Sequence, residues 1–493
     1  MWNFFKRIRD SHSSTQDVGP YSNYRMAVRL ELTQRTGVFA QLANAMAEEN
    51  ASLGAVDIVS ATRTKVIRDI TVDVQSEEHG ERVLKRLNTL PDVRVIASSD
   101  RIFLMHLGGK IRVESKFPIT TRNTLSMVYT PGVARVVKSI AEDEKQAYTF
   151  TSKSNSIAVV TDGSAILGLG NLGPLAALPV MEGKAMLFNQ FAGIDAWPLC
   201  LNTQDSEKII QAVLAIAPTF GGINLEDISA PRCFEIEQRL QRELEIPVMH
   251  DDQHGTAVVI LGALLNALQV IGRTIQDITV VVIGLGAAGT ACCELLLGAG
   301  ITRLRGCDKQ GWILNRTITE LLPHRHNLRT LIQYDAATGT IQDALKDAHV
   351  VIGLSTANVL KPEDLALMAK DPIVFALANP DPEISPELAI PNCRVYASGR
   401  SDYPNQCNNL LSFPGIFRGA LDVQAKSINE PMLLAAAKAL SSVVPESAVS
   451  EEYILPSVFD KKIVPKVAKA VAQAAIDSGI ARRTKKETEE EEM

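Results

Sequence analysis

Aromatic residues and cysteine pairs are scarce in this chain of 493 residues, and basic residues are not in excess. Phenylalanine, tyrosine and tryptophan make up 5% of it, and the seven cysteines form no C-x-x-C pair. This pattern argues against a disulfide framework, so we expect reduced thiols in a cytoplasmic protein. The formal net charge of −6 provides no basic field, and no nucleic-acid partner is expected.

A signal-peptide core and a long membrane-type run are also missing. The N-terminus, MWNFFKRIRD, has no apolar core. The longest apolar run, residues 256–271, is interrupted by Asn266 and Gln269 and is short for a span, which predicts a buried helix and no membrane partner. Hydrophobic residues make up 46% of the chain, enough for large cores, and the length favours three or four domains.

Residues 20–105 follow a strand and helix pattern in the order βαββαβ. The stretch RTGVFAQLANAMAEEN, with Gly37 in the turn before the first helix, resembles an ACT domain, a small regulatory module that often binds an amino acid. A βαββαβ unit exposes one sheet face and an edge, so we expect a homo-oligomer with paired modules, in which a small-metabolite effector binds near Thr36-Gly37-Val38. A dimerisation module without a ligand is the alternative.

A second pattern begins at residue 277, where strands alternate with helices as in a doubly wound parallel sheet. The strand DITVVVI runs into Gly284-Leu285-Gly286-Ala287-Ala288-Gly289, which opens a helix, as in a dinucleotide-binding fingerprint. Gly284 permits the turn, Gly286 admits the pyrophosphate and Gly289 permits close packing, while Ala287 and Ala288 begin the helix whose amides face the phosphates. The final residues, 481–493, form a charged tail.

Asp308, at the end of the next predicted strand, is placed to accept a hydrogen bond from the adenosine ribose. This position favours NAD over NADP. Lys309 leaves NADP open, because a cation there could pair with a 2′-phosphate.

Two acidic clusters, Glu226-Asp227 and Asp251-Asp252, each follow a strand-like segment. Parallel neighbouring strands would bring them together at one sheet edge, and such oxygen ligands suit Mg²⁺ or Mn²⁺. His250 and His254 raise zinc as an alternative, which no cysteine supports.

Six motifs resemble those of malic enzymes, in order and in approximate spacing, and are closest to the compact bacterial form. They are YTPGVA, VVTDGSAILGLGNLGPLAALPVMEGKA, NLEDISAP, HDDQHGTA, ALANPDPEI and SDYPNQCNNLLSFPGIFRGALD. The likeness covers about residues 115–480. It implies an α/β substrate and metal domain at 106–255 and a Rossmann-type NAD(P)-binding domain with C-terminal helices at 256–480.

The resemblance also implies roles for individual residues. Glu226, Asp227 and Asp252 match the family's metal ligands, Lys184 its base, and Tyr129 the acid that protonates the enolate. Asp251 is then expected to support Lys184 or a ligand. His250 and His254 match no catalytic position and are expected to make structural hydrogen bonds.

Substrate and nicotinamide contacts are expected from Asn379 and from Asn409, which we favour over Asn408. The larger eukaryotic enzymes carry an arginine just after TDG that binds the malate carboxylate. This chain has Ser164-Ala165-Ile166 there. Lys153, one predicted strand upstream, is the candidate replacement.

The resemblance implies oxidative decarboxylation of L-malate to pyruvate and CO₂ with reduction of NAD(P). One alternative is malolactic chemistry, in which bound NADH reduces pyruvate to lactate before release. A second is a non-catalytic metabolite sensor, which the intact Tyr129, Lys184 and acidic residues disfavour.

Overall fold

A computed structural model of the chain describes residues 24–309, 311–314 and 339–483. Their packing divides the chain into two compact units, with the boundary between Lys110 and Ile111. The domain limits drawn from the sequence stay a prediction, although the predicted first boundary lies five residues before this one.

The N-terminal unit is a four-stranded antiparallel sheet in the order β2-β3-β1-β4. Its elements are β1 (Tyr24–Thr33), α1 (Val38–Glu48), β2 (Ser52–Ala61), β3 (Lys65–Val74), α2 (Glu77–Asn88), β4 (Val93–Asp100) and α3 (Arg101–His106). The first six reproduce the predicted βαββαβ order.

The sequence explains how this unit forms. Val28, Leu30 and Leu32 alternate along β1 and are buried in one core with α1 and α2. Gly37 precedes α1 at φ 92°, a left-handed conformation that glycine adopts without steric cost. Ser76 caps α2 by accepting the backbone N–H of His79.

The second unit contains two sheets. The first is parallel, in the order β6-β5-β7-β8. The second has the order β11-β10-β9-β12-β13-β14 and is parallel except for β10 with β11. The predicted doubly wound parallel sheet is confirmed.

The strands of this unit are β5 (Ser156–Thr161), β6 (Asp195–Cys200), β7 (Gly222–Leu225), β8 (Val248–His250), β9 (Thr279–Ile283), β10 (Arg303–Asp308), β11 (Gly311–Leu314), β12 (Val350–Gly353), β13 (Ile373–Ala376) and β14 (Val395–Ser398). The α-helices described are α4 (Arg122–Val128), α5 (Val133–Glu142), α6 (Gln146–Phe150), α7 (Pro174–Ala192), α8 (Ser206–Ile216), α9 (Arg232–Glu243), α10 (Asp251–Val270), α11 (Ala287–Gly298), α12 (Ile341–Leu345), α13 (Pro362–Leu365), α14 (Pro386–Ala389), α15 (Phe413–Asp422), α16 (Glu430–Ser441) and α17 (Ile463–Asp477).

Helix α10 lies in the core shared by the two sheets. That core includes Ile157 of β5 and Val280 of β9 together with most apolar residues of α10. By length and composition α10 is apolar enough to cross a membrane, but 72% of its most apolar window is buried inside the protein. The predicted buried helix is confirmed, and the boundary predicted between residues 255 and 256 falls inside it.

Helices α4 to α6 form an arm that has little core of its own. None of the three contains a buried residue. Leu125, Met127, Val137 and Phe150 are large apolar residues of this arm with at least 45% of their surface exposed. Exposed apolar surface of this extent is typical of an interaction surface.

Candidate active site

The two acidic clusters meet at one edge of the first sheet. Strands β7 and β8 are parallel neighbours, and Leu225 pairs with His250 in their register. Glu226-Asp227 follow β7 directly, while Asp251-Asp252 form the first turn of α10 directly after β8. The predicted convergence is therefore confirmed.

Lys184 reaches this edge from α7. Its Nζ lies 2.8 Å from Oε1 of Glu226 and also donates to Oδ2 of Asp251. The residue is 6% exposed, and its Nζ lies 4.0 Å from the centre of the Phe413 ring. Burial alone would lower the pKa of Lys184, but the charges of Asp251 and Glu226 outweigh burial and raise that pKa above its usual value. In this arrangement Lys184 is an ammonium group.

Four carboxyl groups lie at this edge beside one ammonium group, and full ionisation of all four would leave an excess of negative charge. Burial, and then the charge of Asp252, raise the pKa of Asp227 to about 8. Burial also raises the pKa of Asp251 to about 7, although the charge of Lys184 opposes this effect. Burial likewise raises the pKa of Glu226. Like charges in a dry site favour binding of a further cation.

The donor atoms suit a hard divalent cation. Asp227 Oδ2 is buried and has no hydrogen-bond partner in the described chain. Oxygen donors of this kind are the ligands that Mg²⁺ and Mn²⁺ prefer. Within the described ranges, no three His, Cys, Asp or Glu side chains already form a metal-ligand set. In the described chain Glu226 accepts a hydrogen bond from Lys184, and Asp252 accepts the Asp227 N–H at 2.9 Å.

Asp251 contacts Lys184, as predicted, and a second side chain, that of Asn409, also holds it. Asn409 donates to its Oδ2 from Nδ2. Asn408 instead accepts the Leu410 N–H at 2.9 Å, so Asn409 is the member of the pair that faces the cluster. A Cβ at Gly255 would lie 1.9 Å from Asp251 Oδ1, which explains the glycine one turn into α10.

The two histidines beside the aspartates behave differently. His254 Nε2 lies 3.1 Å from Glu237 Oε2, which confirms the predicted structural hydrogen bond. For the ring of His250 the prediction is wrong, because both ring nitrogens are buried and have no hydrogen-bond partner among the described residues. The ring is enclosed by the core, and Nε2 lies 3.8 Å from Asp252 Oδ2. Only the backbone N–H of His250 finds an acceptor, Glu237.

Lys153 lies at the other end of the sheet. It precedes β5, whereas the acidic clusters follow their strands, and six residues of strand span about 20 Å. Its Nζ donates to the carbonyl oxygens of Ala217, Pro218 and Phe220. The predicted carboxylate-binding role of Lys153 has no support in this geometry.

Tyr129 ends α4 on the exposed arm. Its side chain is 67% exposed, and its hydroxyl makes no hydrogen bond to the residues that the structure describes. A single chain therefore does not bring Tyr129 into the cluster around Lys184.

The predicted dinucleotide turn connects β9 to α11. A Cβ at Gly284, where φ is 98°, would lie 2.3 Å from the Leu354 oxygen, and one at Gly289 would lie 1.8 Å from the Gly284 oxygen. Nothing lies within 4 Å of a Cβ at Gly286, which faces open space. Ala287 and Ala288 begin α11, whose first amides face the same space. Such a cradle fits a pyrophosphate.

Asp308 ends β10, the parallel neighbour of β9. It therefore lies beside the glycine turn, at the carboxyl edge of the sheet where adenosine riboses bind in this fold. Lys309 follows it and is exposed.

Asn379 follows β13, and a buried glutamate that sequence reasoning missed holds its loop. Glu383 accepts the Ser355 N–H at 2.7 Å and the Ala378 N–H at 3.0 Å, linking the loops after β12 and β13. A Cβ at Gly168 would lie 2.9 Å from the Asn379 carbonyl oxygen, so the loop after β5 approaches Asn379. Glu383 lies within the ALANPDPEI motif, which was the available signal.

Arg232 was also missed. Its guanidinium lies 2.8 Å from Asp162 and 2.9 Å from the Ser164 hydroxyl, so it holds the TDG loop after β5. The signal was its position as the first residue after NLEDISAP.

Three family models match the chain. Residues 21–97 match the ACT domain, residues 108–208 and 202–241 match the malic enzyme N-terminal domain, and residues 253–476 match the malic enzyme NAD binding domain.

Similar proteins and solved structures point to the same family as these models. The chain is 53% identical to an NAD-dependent malic enzyme of Geobacillus stearothermophilus over 93% of this chain and 96% of that enzyme. It is 51% identical to a bifunctional malic/malolactic enzyme of Bacillus subtilis over 76% of this chain and 92% of that protein. The crystal structure of malic enzyme from Pyrococcus horikoshii aligns with a TM-score of 0.71 and 48% identity, over 78% of this chain and 91% of that one.

Proposed function

The chain belongs to the malic enzyme family, and we propose that it oxidises L-malate with NAD and decarboxylates the product to pyruvate in a reaction that requires Mg²⁺ or Mn²⁺. The observation that carries this proposal is the buried Lys184 between Asp251 and Glu226, at the edge where the Asp227 and Asp252 carboxylates also lie. A turnover assay with malate, Mn²⁺ and each cofactor in turn, with and without a chelator, tests it directly.

In the proposed mechanism Lys184 takes the proton of the C2 hydroxyl while hydride leaves C2 for the nicotinamide. Loss of CO₂ then gives an enolate, which Tyr129 protonates at C3. Asn379 and Asn409 bind a carboxylate of the substrate or the carboxamide of the nicotinamide without adding charge. A divalent cation held by Glu226, Asp227 and Asp252 would lower the hydroxyl pKa, offset the carboxylates that keep Lys184 protonated, and withdraw electrons during decarboxylation.

The exposed arm supports a homo-oligomer in this proposal. General acids work best where water is excluded, whereas Tyr129 is 67% exposed in the single chain. A second copy that covers the apolar residues of α4 and α5 would shield both the arm and Tyr129.

Malolactic chemistry is a second candidate because one relative is a bifunctional malic/malolactic enzyme, 51% identical to this chain. The two reactions share the first steps and differ in whether pyruvate leaves before it is reduced. Net formation of reduced nicotinamide during malate consumption supports the oxidative reaction, and lactate formation without it supports the alternative.

Cofactor choice is proposed to depend on Asp308. We expect the wild type to prefer NAD, because a carboxylate at the end of β10 repels the 2′-phosphate of NADP. Asp308→Ser should raise the ratio of kcat/KM for NADP to that for NAD at least about tenfold, since a like-charge contact costs several kcal/mol. Lys309→Ser is the control and should not shift the ratio towards NADP. A wild type that already prefers NADP would overturn this assignment.

The N-terminal unit is proposed to bind a small carboxylate-bearing metabolite, such as an amino acid, at the Thr36-Gly37-Val38 turn. No side chain caps α1, and although the Val38 N–H donates to the Arg35 carbonyl oxygen, the next amides of the first turn are available to an anion. Arg68 lies 5.2 Å over the Phe39 ring beside this turn, and its buried Nε has no hydrogen-bond partner in the described chain. These features support an anion site. We also propose that the protein is cytoplasmic.

Deletion of residues 1–105 should leave a folded, oligomeric and active enzyme, because the arm and every malic-enzyme motif lie downstream. It should abolish the response to any effector, which by typical coupling energies is about 5–150-fold in malate affinity. An amino-acid screen by thermal shift on both forms, followed by kinetics and light scattering, measures this. Arg68→Gln should remove the response in the full chain, and Arg63→Gln, at an exposed position, should not. A screen without a selective hit would leave the unit as an assembly module.

A further inference from the structure

Glu237 of α9 is a buried carboxylate that no step of the proposed mechanism uses. It is 4% exposed and lies among Cys233, Ile236 and Leu240 on the buried face of its helix. A charged group in such a place is costly unless hydrogen bonds compensate for it. Glu237 has three, and all of them come from residues 250–254, the segment that joins β8 to α10.

The three bonds fix both the backbone and the side chains of this segment, which we call the β8–α10 junction. Oε1 accepts the His250 backbone N–H at 2.8 Å. Oε2 accepts Gln253 Nε2 at 3.1 Å and lies 3.1 Å from His254 Nε2. Burial alone would raise the pKa of Glu237, but His254 and its other donors lower it below the usual value, so the group is a carboxylate.

The residues between these anchor points are those that face the cluster. Asp251 and Asp252 lie between the His250 and Gln253 contacts in the chain, and they point towards Lys184 and towards the Asp227 amide. Glu237 therefore fixes one side of the first turn of α10 by hydrogen bonds, while the other side of that turn presents the carboxylates of Asp251 and Asp252 to the site.

We propose that Glu237 is a positioning residue for divalent-metal binding, acting through the β8–α10 junction and not by contact with metal or substrate. The inference rests on the proposed metal dependence. Residues that orient metal ligands commonly contribute about 10–100-fold in affinity or activity. Glu237 should contribute within that range through the orientation of Asp252.

Two substitutions separate this role from simple stability. Glu237→Ala removes both acceptor oxygens, whereas Glu237→Gln retains the side-chain shape and one oxygen for the His250 N–H. Glu237, Gln253 and His254 also line a cavity of about 750 Å³, so water can satisfy the freed donors and we expect the alanine variant to fold. Glu235→Gln, at an exposed position on the same helix, is the matched control.

Mn²⁺ binding to the full-length protein is measured without malate, by the electron paramagnetic resonance signal of free Mn²⁺, and NADH binding is measured by fluorescence. Glu237→Ala should weaken Mn²⁺ binding about 10–100-fold with NADH binding unchanged. Glu237→Gln should restore part of the affinity, and Glu235→Gln should match the wild type.

The outcomes distinguish the inference from the function on which it rests. A wild type that binds no Mn²⁺ contradicts the proposed metal dependence. A wild type that binds Mn²⁺, together with alanine and glutamine variants that bind it equally well, contradicts the role of Glu237. Loss of thermal stability with unchanged Mn²⁺ affinity assigns Glu237 to folding alone and also overturns the inference.

Discussion

Lys184→Ala is expected to lower kcat for malate oxidation by about 10²–10⁴-fold, the usual effect of removing a general base. Lys184 is the only basic side chain that donates to Glu226 and Asp251 in the described residues, so no neighbour can replace it. Initial rates of reduced-nicotinamide formation at saturating malate and Mn²⁺ measure the effect.

Lys184→Arg distinguishes the role of Lys184 as a base from its role as the positive partner of an ion pair. Arginine keeps the positive charge beside the two carboxylates but does not lose its proton in proteins. We therefore expect Lys184→Arg to be as inactive as the alanine variant while NADH binding persists. Lys208→Ala, at an exposed position on α8, controls for loss of a lysine and should be fully active. Near-normal turnover by the arginine variant would contradict the assignment of Lys184 as the base.

Asp252→Asn is expected to weaken Mn²⁺ binding by more than about 100-fold, because loss of a ligand should exceed the effect of losing a residue that only orients one. The amide keeps the shape of the side chain, and its oxygen can still accept the Asp227 N–H that Asp252 now accepts at 2.9 Å. The fold should therefore persist while the charge is lost. Mn²⁺ titration without substrate, followed by kcat at rising Mn²⁺, measures both effects.

The control for Asp252→Asn is Glu452→Gln, which removes one negative charge from an exposed position. It should leave Mn²⁺ affinity unchanged. If Asp252→Asn retains wild-type affinity, Asp252 is not a ligand, and the ligand set must be sought among Glu226, Asp227 and Asp251.

The strand pattern made much of this site predictable. Glu226-Asp227 and Asp251-Asp252 each follow a short apolar strand, and parallel strands place their carboxyl ends at the same edge, which is what β7 and β8 do. The spacing of Gly284, Gly286 and Gly289 likewise predicted a turn in which two glycines are crowded by backbone and one faces open space.

The remaining features depend on contacts between segments far apart in sequence. Lys153 precedes β5 and TDG follows it, so the length of the strand separates them, and the Lys153 ammonium donates to three carbonyl groups from the segment before β7. Glu237 could have been singled out from the sequence. Residues 233, 236, 237 and 240 follow the period of a buried helix face, and a glutamate on such a face indicates a carboxylate with specific partners. The position of Tyr129 relative to the acidic cluster could not be predicted, because the helices on either side of it contain no buried residue within one chain.

Product stoichiometry in a single reaction tests the central claim most directly. The wild-type protein is incubated with L-malate, NAD and Mn²⁺, and malate, pyruvate, lactate and reduced nicotinamide are measured over time. The proposed function predicts that pyruvate and reduced nicotinamide accumulate in equal amounts as malate disappears. Lactate without net reduced nicotinamide, or no consumption of malate, would contradict it.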